Sequence, residues 1–126
     1  MTPPTTNLRR FRGKLLIYHG AADPVFSVND TVETFDAQLR ANPDRLRLFI
    51  VPGMNHCGGG PATDQFDVLT PLVDWVEKGI VPDRIIGTAN PDSGFAGRTR
   101  PLCPYPRQAR YVGSGDIDDA KNFVCR

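Results

Sequence analysis

No stretch of the 126 residues approaches the roughly 18 consecutive apolar residues that a membrane-spanning helix needs, and the opening MTPPTTNLRRFRGK lacks the apolar core of a signal peptide. An excess of one charge is missing too. The 15 basic and 14 acidic side chains are well interspersed and leave a formal +1, so no long-range field favours a nucleic acid or an anionic membrane as partner. Cysteine is sparse and odd in number: with three, an oxidising compartment would leave one thiol without a mate inside the chain. The serines are Ser27, Ser93 and Ser114, and none stands in the G-x-S-x-G elbow that carries a hydrolase nucleophile. A chain of this length forms one domain at most, with a modest core.

What is present reads as α/β. KLLIYHG (Lys14 to Gly20) is a short apolar run closed by glycine, the pattern of a strand buried on both faces. Ser27 is a candidate N-cap, and Val28, Val32, Phe35 and Leu39 recur at helical spacing, which predicts a helix over 28–41. After the break at Asn42-Pro43, RLRLFIV (Arg45 to Val51) reads as a second buried strand. Strand, helix, strand in so short a span is a βαβ unit, so the two strands are expected to be parallel. A second helical region is expected over 64–78, with Phe66, Leu69, Leu72, Val73 and Val76 on one side, Trp75 in the core and Gly79 as its stop. Pro71 predicts a kink in it near Thr70, because a proline there would orphan the carbonyl of Asp67.

Three segments follow from this: an extended lead-in over 1–13, the strand and helix region over 14–79, and a proline- and glycine-rich tail over 80–126. The tail offers a short strand over 108–113 and a helical turn over 116–123. So poor in core-forming runs, it needs a staple, which Cys103 with Cys125 would supply by closing a loop of about 22 residues.

Chemistry concentrates after the two strands. Asp23 follows the first in HGAADP, and His56 follows the second in PGMNHC. Parallel neighbouring strands present both side chains at the same carboxyl edge, where open α/β sheets place their sites. A carboxylate there can accept the Nδ1 proton of histidine and leave Nε2 free as a base. The plainer alternative makes Asp23 a turn cap beside Pro24 and His56 an ordinary loop histidine.

The blocks HGAADP, PGMNHCGGGPATDQFD, LVDWVEKG and RTRPLCPYPRQARYVGSGD with NFVC resemble, in order, the C-terminal part of the tannase/feruloyl esterase family of α/β-hydrolases. The likeness runs from Gly13 to Cys125. It implies the C-terminal part of an α/β-hydrolase fold and serine-dependent hydrolysis of carboxylic esters of aromatic acids such as gallate or ferulate. Asp23 would be the acid and His56 the base. Cys57 would be one half of a disulfide to a cysteine beside the serine, its mate absent from this chain, and Cys103 and Cys125 would be partners. The family's elbow and its lid, with the calcium site, have no counterpart here, so the chain is expected to be a fragment, inactive alone, with no metal or other cofactor of its own and its substrate contacts unknown. Export to the periplasm or outside the cell is expected by family, although no export signal is visible. The alternative is a non-catalytic remnant, or a complementing fragment whose edge strand at Lys14 to His19 pairs with an N-terminal partner that supplies the serine.

Other readings are weaker. HCGGG resembles a lipase oxyanion loop, but that loop precedes its nucleophile. His19, Asp23, His56 and Cys57 are ligand types without a recognised metal spacing, and His19 reads as a structural histidine at a strand end. Gly58 to Gly60 lack the Gly-Lys-Ser/Thr of a phosphate loop. Arg98, Arg100, Arg107 and Arg110, with Tyr105 and Tyr111, would suit RNA; carboxylate-paired or solvated arginines are the blander account.

Overall fold

A computed structural model describes residues 11–126; most of the lead-in assigned to 1–13 lies outside that range. Strand β1 (Leu15–Gly20) is followed by helix α1 (Val28–Ala41) and strand β2 (Leu46–Val51), and the two strands pair in parallel from Leu15 opposite Leu46 to Gly20 opposite Val51. The Ser27 side chain caps α1 by accepting from the Asn29 amide at 3.2 Å. Ser27→Ala should cost about 1 kcal/mol, read as a shift of the urea midpoint at unchanged slope.

β2 is the spine of the core. Leu48, Phe49 and Val51 are fully buried, because the tail closes over the strand: Phe49 bridges Pro104, and the Tyr105 amide donates to the Leu48 carbonyl at 2.6 Å. Around it gather Met54, Ala62, Ile85 and Leu102, with Leu16, Phe66 and Val68 packed against them.

β1 departs from the expectation of burial on both faces. Among the described residues its one paired neighbour is β2, so it is only half-buried and Tyr18 is exposed.

The second helix also differs from expectation. It is shorter, α2 (Leu69–Lys78), and has no break at Pro71, which occupies its third position. The first amides of a helix have no intrahelical acceptor, so a missing N–H there orphans nothing. Asp67 completes the start by accepting from the amides of Leu69 (2.9 Å) and Thr70 (3.0 Å). Residues 64–68 are loop, with Gln65 bridged to Thr88. Trp75 is buried as expected, with Lys14 and Arg47 over its ring, and Gly79 ends the helix at φ 69°. Leu69, Val73 and Val76, placed on one apolar side of the helix, are exposed.

The tail holds more structure than its composition suggests. Strands β3 (Ile85–Thr88) and β4 (Thr99–Leu102) form a hairpin, and β5 (Ala109–Tyr111) pairs with β6 (Phe123–Cys125) after a 3-10 turn at Ala120–Asn122. Arg84 ties the ends together by donating to the carbonyls of Ala120 (2.6 Å) and Phe123 (2.9 Å). The Cys103–Cys125 disulfide is formed, with the two Cα atoms 5.5 Å apart. Among the arginines considered for RNA, Arg98 pairs with Asp118 and Arg107 with Asp83, and Arg100 lies over Phe123.

Candidate active site

Each strand ends in a turn, and backbone hydrogen bonds lock the two turns together. The Ala21 amide donates to the Val51 carbonyl at 2.9 Å and the Ala22 amide to the Met54 carbonyl at 3.0 Å. Gly20 permits this approach: a β-carbon there would run into the carbonyl oxygens of Met54 and Asn55. Asp23 leaves the first turn and His56 the second, so two side chains 33 positions apart meet at one rim.

The meeting is close. His56 Nδ1 lies 2.9 Å from Asp23 Oδ2, and because a carboxylate can only accept, Nδ1 carries the proton and Nε2 is left free. Asp23 Oδ1 accepts from the amides of Val25 (2.8 Å) and Phe26 (3.0 Å), which fixes the plane of the carboxylate. Its side chain is 4% exposed, whereas that of His56 is 43% exposed, so the acid is sheltered and the base faces an open cleft. That cleft encloses about 420 Å³ and is walled by Phe26, Phe35, Met54 and Cys57 among others. The Phe26 ring is 5.4 Å from the imidazole.

Burial on its own would raise the Asp23 carboxyl. The hydrogen bonds from His56 and from the Phe26 and Val25 amides, with the attraction of the His56 charge, outweigh it and hold the group well below the usual carboxylate range. A carboxyl depressed on folding adds stability that is present above the unfolded value near 4 and fades as pH falls toward the lower folded value. Thermal midpoints should therefore be insensitive to this group between pH 7 and 5 and drop below pH 4. The drop should be shallower in Asp23→Asn than in wild type, and equal slopes would contradict the assignment.

The histidine loop is braced from behind. Asp64 accepts from the Gly59 amide (2.7 Å) and from Asn90 Nδ2 (3.0 Å), and Asn90 also donates to the Gly60 carbonyl (3.1 Å). Burial would raise the Asp64 carboxyl, but these bonds and one from Gln65 lower it. Cys57, directly after His56, is exposed, unpaired among the described residues and left-handed at φ 61°, a conformation uncommon outside glycine.

Asp23, His56 and Cys57 thus border one cleft, while Cys103 and Cys125 lie in the tail beyond it. Sequence reasoning missed three contributors. His19, read as merely structural, places Nε2 3.2 Å from Asp23 Oδ2; the signal was the spacing of four in HGAAD. Gly20 and the Asp64 to Asn90 brace are the others, and only the fold shows what they touch. Among the described residues no three His, Cys, Asp or Glu side chains are grouped as metal ligands.

An acid and an imidazole offered from the same ends of neighbouring parallel strands is the plan of α/β hydrolases. The chain belongs to the tannase and feruloyl esterase family, whose model matches residues 2–126. It is 52% identical over 129 residues to mono(2-hydroxyethyl) terephthalate hydrolase from Piscinibacter sakaiensis, covering 96% of this chain and 21% of that protein. With feruloyl esterase B from Aspergillus niger it shares 31% over 144 residues, 98% of this chain and 28% of the relative. The crystal structure of an esterase from Aspergillus oryzae superposes with a TM-score of 0.78 at 29% identity, over 96% of this chain and 29% of that one. The α/β fold is that of these hydrolases, of which the chain spans less than a third of the length.

Proposed function

We propose that Asp23 and His56 are the acid and base of a Ser-Asp-His triad in a hydrolase of aromatic carboxylic esters, with the serine supplied by residues outside these 126. The 2.9 Å contact between His56 Nδ1 and Asp23 Oδ2 carries the reading. His56 Nε2 takes the serine proton as its oxygen attacks the ester carbonyl, and Asp23 stabilises the imidazolium so formed. The tetrahedral intermediate collapses as Nε2 returns the proton to the departing alcohol, and a water repeats the sequence on the acyl-enzyme. The exposed Phe26 ring beside the imidazole offers an apolar wall to an aromatic acyl group. Esters of aromatic acids are also what the names of the feruloyl and terephthalate relatives denote.

Cys57 is the histidine-side half of a disulfide to a cysteine near that serine; its exposure next to His56 supports this. The Cys103–Cys125 bond favours an oxidising compartment, hence a secreted or periplasmic protein, and among the described residues no helix is long and apolar enough to cross a membrane. The edge of β1 that is unpaired among the described residues is where the serine-bearing portion would pair. A nitrophenyl ester assay tests the reading. The 126-residue chain should be silent and gain turnover when joined to the upstream coding region. Turnover by the chain alone, abolished by His56→Ala and by a serine-reactive inhibitor, would contradict an external nucleophile.

A further inference from the structure

The second histidine of the chain lies beside the same carboxylate. His19, at the penultimate position of β1, is well covered, its side chain 12% exposed, and it lies against the first turns of α1. Its Nε2 faces two oxygens, the Phe26 carbonyl at 3.0 Å and Asp23 Oδ2 at 3.2 Å, and its Nδ1 is 2.8 Å from Thr31 Oγ1. A carbonyl and a carboxylate only accept, so Nε2 carries a proton. A hydroxyl both donates and accepts, so Thr31 satisfies Nδ1 as an acceptor and the ring needs no charge.

We propose that His19 is a positioning residue. As a neutral Nε2–H imidazole it donates to the Phe26 carbonyl and so holds the Phe26 segment, whose amide donates to Asp23 Oδ1, against the carboxylate. The proposal rests on Asp23 and His56 being the acid and base. The carboxylate has three hydrogen-bond donors, the Val25 and Phe26 amides on Oδ1 and His56 on Oδ2; His19 Nε2 donates to the Phe26 carbonyl and lies 3.2 Å from Oδ2. The amides on Oδ1 decide where Oδ2 points, and His19 keeps the Phe26 amide of that pair in place through the Phe26 carbonyl. A neutral ring does so without a second positive charge competing for the oxygen that must stabilise the His56 imidazolium.

Imidazole nitrogen NMR on the full chain at neutral pH reads this without any catalytic turnover. In wild type, His19 should show its proton on Nε2 and His56 on Nδ1. In His19→Leu, which has similar bulk and no donor, the His56 Nδ1–H signature should be lost, while His19→Gln, which restores an N–H, should keep it. A folded His19→Leu protein that retains His56 Nδ1–H overturns the proposal and leaves the acid-base reading standing. Wild-type His56 without Nδ1–H overturns that reading, and the role of His19 with it. Should the leucine variant not fold, the wild-type ring decides: a His19 proton on Nε2 supports the proposal, and a proton on Nδ1 overturns it.

Discussion

In the assembled hydrolase, His56→Ala should lower kcat by roughly 10⁶-fold and Asp23→Asn by about 10⁴-fold, with little change in KM. The asparagine variant is the more informative of the two. The amides of Val25 and Phe26 select the amide oxygen at the Oδ1 position, since they need an acceptor. The NH2 group is then turned toward His56 Nδ1, which must accept rather than donate. The proton moves to Nε2, and the atom that should take the serine proton is already occupied. Shape and bulk survive while the base is disabled. The measurement is kcat on a nitrophenyl ester with the amide spectrum as a control for folding, and a folded Asp23→Asn enzyme that loses less than tenfold would refute the triad.

Removing the Cys103–Cys125 bond by a double change to alanine should cost about 3 kcal/mol, the loop entropy of some 22 residues, and lower the thermal midpoint by roughly 10 °C. The tail gives reason to expect the whole of that figure. Its β5 and β6 strands are three residues each, too short to hold alone, and the bond joins β6 to the residue after β4, which packs on the core. Hydrogen exchange should locate the loss: the amides of Gln108 and Arg126, which donate to each other's carbonyls, should lose protection before those of β2. A loss under 1 kcal/mol would mean that the Arg84 ties and the Arg100 to Phe123 stacking hold the segment without the bond.

The βαβ unit was legible because two signals of different period are each carried over enough residues: α1 runs from Val28 to Ala41 as the spacing of Val28, Val32, Phe35 and Leu39 requires. Strand direction then put Asp23 and His56 at one edge before any side chain was placed. Where reading failed, the deciding quantity was not in the local sequence. Burial of β1 is set by its sheet neighbours, of which the described residues supply one, β2. The effect of Pro71 depends on where the helix begins, which Asp67 determines. β3 and β4 are four residues each, too short for a period to register, and Pro101 in β4 looks unlike a strand although a two-stranded hairpin tolerates it. His19 was read as a structural histidine, and its nearness to Asp23 was not legible because the spacing of four brings the two together across a turn rather than along a helix.

Asp23 and His56 stand on two turns tied to each other by main-chain hydrogen bonds, from Ala21 to Val51 and from Ala22 to Met54. Under the proposed function, a new ester would be accommodated by changing cleft-wall side chains such as Phe26 or Phe35 while the two turns stay in register. The wall is free to diversify, and the hinge between chemistry and recognition is a pair of amides that almost any residue can provide.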